Sequence, residues 1–531
     1  MIGTEVKMTV GKSAMKRKKK RKTPSPDLLQ ELTALESTAA ARGIHIHYDR
    51  LEAAGLRLNG GLCELNGEYH LYIEKRKSVT DKIEFFKNQL EKTLSMENRK
   101  HHPTPHRKPI FKKRVILLCA VFLFQALFLL SPPTSKAKKR IPCRNQIKST
   151  DSFLVATPEG KVLFEKNATK QRVPASTLKV LTALTVLDHF GPSHRFRTGF
   201  YMDSAGNLKI KGYGDPLLIS EVLHHIAIIL ARKIDSFRNI ILDNTYFSSR
   251  IMVPGCDNTT NPYDAPIGAL CANFNTVAFK RKKNGRIYST ESQTPMIPFM
   301  ANQIRALGLK SGRRTFTHNS KEAALYVGEL LRYMLNKSGV KMQGEIHFGS
   351  VSPEDALIFT YRSTFPMETV VEKMLHSSSN FMANQIFVAL GASVYGPPGT
   401  LAKGVRATQA YIRKELGLKH IRIVEGSGLS RKNHLSAYDM LAILEKFKPY
   451  KDLLKNQDQV HYKTGSLRGV RTRAGYIESQ ILGPCCFAVF FNRKGSNMQS
   501  MVRCLKKAVN KTAARRTGMI EIRPRHDVPS F

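Results

Sequence analysis

Little in this chain points to metal or nucleotide chemistry. It holds no His-Glu-x-x-His, no paired Cys-x-x-Cys, no Walker-type loop and no dinucleotide fingerprint. Those absences exclude the common zinc, P-loop and Rossmann sites, so neither a metal nor a cofactor is expected. His45-Ile-His47 supplies too few ligands for a metal and reads as a strand pair. Cysteine is sparse, at 8 residues in 531, and has no metal-ligand spacing. Carboxylates are scarce too: 41 Asp and Glu stand against 85 Lys and Arg, a formal net charge of +44. This balance favours anionic partners. Long apolar runs are nearly absent. The exception, Val115–Leu130, is interrupted only by Gln125 and falls short of the about 20 residues of a spanning helix.

What the chain does carry is three short strings in order: Ser176-Thr-Leu-Lys179, Ser378-Ser-Asn380 and Lys463-Thr-Gly465. Ser-x-x-Lys also occurs at Ser13, Ser135 and Ser338, but only Ser176 opens a strongly apolar run, KVLTALTVLDHFG. That run predicts a helix ending near Gly191. Residues three apart share a helix face, which sets Lys179 one turn from the Ser176 hydroxyl. A serine hydroxyl needs a base. A lysine can be that base once burial destabilises its ammonium. In VEKMLHSSSNFMANQIFVALG, which reads as one helix or two short ones, Ser378 offers a hydroxyl to relay a proton and Asn380 an amide to orient substrate and Lys179. QVHYKTGSLRGV reads as a strand edge, with glycine where backbone must approach a ligand. There Lys463 and Thr464 suit a substrate carboxylate, beside Gly465. The N–H groups of Ser176 and Ser466 suit an oxyanion hole. Together the strings describe a penicillin-interacting serine acyltransferase.

From about residue 142 to 510 the chain resembles the D-alanyl-D-alanine carboxypeptidase/endopeptidase family, the class C low-molecular-mass penicillin-binding proteins (peptidase family S13). Besides the three strings it carries KGYGDPLL at Lys211–Leu218, NIILDNTYF at Asn239–Phe247, YDAPIGALCANFN at Tyr263–Asn275, EGSGLSRKN at Glu425–Asn433 and KTGSLRGVRTRAGYI at Lys463–Ile477. The resemblance implies an α+β fold. A serine β-lactamase/transpeptidase-like domain, an antiparallel sheet flanked by helices, would be built from 142–200 plus 350–512. A mixed α/β domain would be inserted at 200–350. The resemblance also implies a serine D-Ala-D-Ala carboxypeptidase, with or without D,D-endopeptidase activity, acting on peptidoglycan stem peptides and acylated by β-lactam antibiotics. Two positions depart from the family pattern. Ser379 stands where aspartate is usual, and Arg468 where some relatives have a neutral amide. With Arg431, Arg468 implies a cationic pocket suited to an acidic substrate group such as a diaminopimelate carboxylate. Asp243 is the candidate for the acid that the inserted domain contributes. A serine β-lactamase or esterase shares the Ser-x-x-Lys logic, but no Glu-x-x-Leu-Asn loop is found. A catalytically silent wall-binding receptor is the reading from another class.

The rest of the chain bears on location. Residues 115–131 read as a signal segment or membrane anchor between basic flanks, and Ser135-Lys-Ala137 has the form of a cleavage site. The expected place is the inner or plasma membrane, with the catalytic domain extracytoplasmic (periplasmic) and the N-terminus cytoplasmic if the segment is uncleaved. Met96 offers an alternative start that would make this a conventional signal peptide. Upstream lie a basic tail at 1–26, a small α/β region at 27–98 of unassigned role and a basic linker at 99–114. Helices are expected there at Asp27–Arg42 and Ser78–Leu94, with a hairpin around Gly60-Gly61 and Asn66-Gly67. The run Lys16–Lys22 suits a nonspecific anionic partner or a solvated tail. Residues 513–531 read as a tail. Cys256 and Cys271 are spaced to close a loop, and adjacent Cys485 and Cys486 point to opposite strand faces. Oligomeric state is not legible.

Overall fold

The computed structural model describes residues 25–49, parts of 52–75, 77–87 and 142–516. The tail before residue 25, the linker 99–114, the apolar segment 115–131 and residues 517–531 lie outside the described residues. Among the described residues, no helix is long and apolar enough to cross a membrane.

The N-terminal region forms a small unit of its own. A helix at Pro26–Ala41 begins on its proline, whose missing N–H costs nothing at that position. Strand Glu68–Glu74 is central, parallel to Ile44–Asp49 and antiparallel to Gly60–Leu65. A second helix covers residues 79–87. Leu32, Ala39, Ile44, Leu71, Ile73, Ile83 and Phe86 make the core. His45 and His47 fall on one strand face and stack on His70 from the neighbouring strand, as the strand-pair reading of the sequence expects.

The larger unit holds the three strings. Its six-stranded antiparallel sheet runs in the order Lys455–Gln457, Val460–Leu467, Val470–Ser479, Gly483–Phe491, Ser152–Ala156, Val162–Lys166. The two ends of the unit therefore meet edge to edge. Alternation along the strands sorts the side chains into two layers. Phe153, Val155, Ile477, Cys485, Phe487 and Val489 pack with Met501, Leu505 and Val509 of the closing helix Met498–Arg516. The opposite face holds Leu154, Ala474, Tyr476, Cys486 and Phe490, all buried. Tyr476 donates from its hydroxyl to the Leu444 carbonyl of helix Ala437–Phe447 at 2.6 Å. The closing helix continues to Arg516, so it takes in the first residues of the expected tail.

Cys143 and Cys504 form a disulfide across 361 residues of sequence, tying the start of the unit to its last helix. The loop closure open to Cys256 and Cys271 is not used, for both remain thiols. Cys271 is buried and donates to the Gly268 carbonyl instead.

The insert is wider than 200–350. Strand Arg195–Met202 pairs with Ala356–Pro366, and both join Leu208–Gly212, Ile240–Asp243 and Ile346–Phe348 in one five-stranded mixed sheet. Apolar alternation reveals a strand but not the sheet it joins, so the boundaries moved outward to about 195 and 366. A second, antiparallel sheet of Ile287–Ser289, Thr276–Arg281 and Gly312–Thr315 completes the insert with helices Ser220–Ala231, Pro298–Ala306 and Ser320–Lys337.

Candidate active site

Ser176 lies in a 3-10 turn, Ala175–Leu178, that runs directly into the helix Lys179–Phe190. The sequence places it on a helix; the tighter turn keeps the three-residue spacing and leaves Ser176 half-buried at the mouth. Gly191, with φ +82°, ends the helix where expected. Ala175 holds φ +48°, a left-handed conformation uncommon outside glycine. Two neighbours hold it there. A Cβ on Gly428 would stand 1.9 Å from the Ala175 carbonyl oxygen, and one on Gly465 would stand 2.8 Å from the Pro174 oxygen. Thr472 also donates to the Pro174 carbonyl at 2.6 Å. The turn is thus clamped by the EGSGLSRKN loop on one side and the KTG strand on the other.

Lys179 is fully buried. Its Nζ sits 3.1 Å from Ser176 Oγ, 2.8 Å from Asn380 Oδ1 and 2.7 Å from the Ser427 carbonyl oxygen. Burial and the nearby Lys463 push its pKa well below that of an ordinary lysine, against an opposing pull from Glu425. The amine is therefore poised to be neutral and basic.

The second string lies at a break between two helices. Met367–Ser377 ends, Ser378 takes φ +58°, and Asn380–Tyr395 begins. Ser379 caps the second helix, its hydroxyl accepting from the Met382 N–H at 3.1 Å. Serine and aspartate are comparable caps, which accounts for serine at this family-variant position. The break aims Ser378 Oγ at Lys463 Nζ, 2.9 Å away, and Asn380 at Lys179.

Lys463, Thr464, Gly465 and Ser466 lie on strand Val460–Leu467. Among the described residues, the outer strand Lys455–Gln457 pairs only with Val460–Tyr462. Beyond Tyr462 the edge is open to a peptide laid alongside as a further strand. Lys463 is buried and burial pushes its pKa down to about 7, with Lys455 adding to the effect. Thr464 and Ser466 are exposed.

Arg431 and Arg468 are both exposed, and Arg431 donates through its guanidinium to the Arg468 carbonyl. They stand together at the end of the KTG strand. Asp243 is not brought to the site. It is buried in the inserted sheet, where its carboxylate accepts from the Val351 N–H at 2.9 Å and the Thr245 hydroxyl at 2.6 Å and pairs with Lys211 at 3.1 Å. The acid beside the second string is Asp264, which lines a cavity with Asn380, Leu429, Met252, Cys256 and His318. Asp264 ends a short 3-10 turn, Pro262–Asp264, that leaves no periodic pattern, and the string YDAPIGALCANFN was its only signal.

The sequence also gave no sign of what Glu425 does. Its carboxylate is fully buried. It accepts from the N–H groups of Ser427, Gly428 and Ser430, from the Ser427 hydroxyl and from the amides of Asn384 and Asn433, at 2.6–3.2 Å. This folds EGSGLSRKN into the turn that presents the Ser427 carbonyl to Lys179.

The profile of the D-Ala-D-Ala carboxypeptidase 3 (S13) family matches residues 149–455. The D-alanyl-D-alanine carboxypeptidase DacB of Haemophilus influenzae is 22% identical over 414 residues, covering 63% of this chain and 83% of the relative. A D-alanyl-D-alanine carboxypeptidase of Actinomadura sp. is 24% identical over 340 residues, covering 55% of this chain and 63% of the relative. The crystal structure of penicillin binding protein 4 (dacB) from Haemophilus influenzae superposes with a TM-score of 0.54 at 18% identity, covering 68% of this chain and 96% of that one. Mixed α+β fold, site strings and profile agree, and the chain belongs to the D-Ala-D-Ala carboxypeptidase 3 (S13) family of serine peptidases.

Proposed function

We propose that this hydrolase removes the terminal D-Ala of peptidoglycan stem peptides through an acyl-enzyme on Ser176, and that β-lactams acylate the same hydroxyl. The observation that carries the reading is the contact of a buried, deprotonation-prone Lys179 with Ser176 Oγ at 3.1 Å. Neutral Lys179 takes the Ser176 proton as Oγ attacks the penultimate D-Ala carbonyl. The N–H groups of Ser176 and Ser466 receive the oxyanion, an effect worth about 3–4 kcal/mol per donor. The proton returns to the departing D-Ala amine through Lys179 and Ser378. Lys463 and Thr464 hold the terminal carboxylate, and Asn380 fixes Lys179 and the substrate amide. Water then releases the shortened peptide.

The same site opens a cross-bridge if the amine leaving is that of a neighbouring stem, which is the endopeptidase reading. A β-lactamase needs an acid free to activate water. Glu425, the carboxylate facing Lys179 electrostatically, is consumed by hydrogen bonds beneath its turn. The cationic end of the KTG strand, Arg431 and Arg468, suits an acidic group on the substrate side chain.

The disulfide supports an oxidising compartment. We therefore place the catalytic unit outside the cytoplasmic membrane, with residues 115–131 as its leader or anchor. The test is release of D-Ala from a pentapeptide ending in D-Ala-D-Ala. The chain should release it, Ser176→Ala should not, and a peptide ending in L-Ala should be inert. Equal release by Ser176→Ala would overturn the reading.

A further inference from the structure

The helices Lys179–Phe190 and Asn380–Tyr395 both begin at the active site. At 1.5 Å per residue, their far ends lie about 15–20 Å away. There they form one wall of a second cavity of about 470 Å³, to which Phe190, Ala389 and Ser393 contribute. The facing wall comes from the inserted sheet, with Arg195, Arg197 and Arg362 on its strands and Tyr213 and Tyr246 just past the ends of strands Leu208–Gly212 and Ile240–Asp243.

Arg197 and Arg362 are both exposed at the mouth of this cavity, and Arg195 is half-buried. Arg197 and Arg362 are register partners on adjacent antiparallel strands. Like charges directly opposite one another destabilise a ladder. Arg195, two residues before Arg197, falls on the same face. It is anchored by donating to the Ser363 carbonyl at 2.8 Å. Among the described residues, the Arg362 side chain has neither an ion pair nor a hydrogen bond, and Arg197 has only the ring of Tyr213, 4.1 Å from its guanidinium carbon. Among the described residues, no Asp or Glu lines the cavity. Tyr213 and Tyr246 meet edge to face, 5.1 Å between centroids.

We propose that this cavity binds a phosphorylated sugar, with the phosphoryl group between Arg197 and Arg362 and the sugar ring against Tyr213 and Tyr246. A phosphate monoester presents three terminal oxygens and nearly two charges, so two guanidinium forks can each engage it. A carboxylate has two oxygens, which a single fork occupies. Cavity size matches a small ligand rather than a protein segment. Both guanidiniums are exposed, so water solvates the like-charged pair until a phosphoryl group takes its place.

The test is isothermal titration of the full chain with glucose 6-phosphate, with glucose and glucuronate as controls. The chain keeps its basic tail in every arm, so nonspecific charge is constant. Binding of glucose 6-phosphate should weaken at least tenfold in Arg362→Gln and in Arg197→Gln, and neither control should compete. Unliganded Arg362→Gln should melt at or above the wild-type temperature, because its removal relieves repulsion, and should react with benzylpenicillin at the wild-type rate. The proposal is overturned if glucose 6-phosphate fails to bind, binds the variants equally, or is matched by glucuronate. A melting temperature of Arg362→Gln well below wild type would also overturn it, since the pair would then be structural.

Discussion

Lys179 donates to the Ser427 carbonyl at 2.7 Å, and that carbonyl belongs to a turn wound around the buried carboxylate of Glu425. The base proposed for Ser176 is thus positioned by an acid that makes no contact with Ser176. Replacing Glu425 by Gln turns an acceptor into a donor amid donors. The expected loss is about 3 kcal/mol of stability, since each hydrogen bond to a buried charge is worth more than a neutral one. Acylation by a penicillin should slow as well. Glu425→Asp should retain part of both. Thermal melting and a second-order acylation rate check this, and an unchanged rate in Glu425→Gln would separate the turn from the chemistry.

Two lysines with depressed pKa values should shape the pH profile. Lys179 must be neutral to accept the serine proton, so activity falls as acid protonates it. Lys463, at about 7, must be cationic to hold a carboxylate, so kcat/KM falls as pH rises past 7. The profile for a D-Ala-D-Ala peptide should be a bell with its alkaline limb near pH 7. A substrate amidated at the C-terminus should lose that limb, because no carboxylate requires the charge.

Gly428→Ala should cripple the enzyme without unfolding it. The new Cβ would drive into the Ala175 carbonyl, 1.9 Å away, at a position with φ +80°. The turn carrying Ser176 must shift. A displacement near 1 Å costs about 100-fold in rate, which stopped-flow acylation would detect while circular dichroism stays native.

The site also marks how far the sequence could be read. Ser176, Lys179, Ser378, Asn380 and Lys463 were legible because each string is short and its chemistry is local to a turn or strand. The break between two helices at Ser378 was legible as an alternative. What joins the strings was not. Glu425 acts through a turn that only folding creates, and Asp243 and Asp264 look alike until folding seats the first in the inserted sheet and the second in the cavity beside Asn380. Strands Arg195–Met202 and Ala356–Pro366 carry ordinary alternation, and nothing in it names the partner that moved the domain boundary.

The Cys143–Cys504 link is likewise nonlocal. Its closed loop spans nearly the whole larger unit, and its removal should cost about 2–5 kcal/mol. The double variant Cys143→Ser, Cys504→Ser should melt lower than wild type under oxidising conditions, and dithiothreitol should lower wild type but not the variant. Buried Cys271, Cys485 and Cys486 should stay unreactive to thiol reagents in the native state.

The most direct measurement is mass spectrometry of the chain after benzylpenicillin, digested with trypsin. One adduct should appear, on the peptide Val173–Lys179, and it should vanish in Ser176→Ala. A folded protein with no adduct on that peptide, or with one on another serine, would contradict the account.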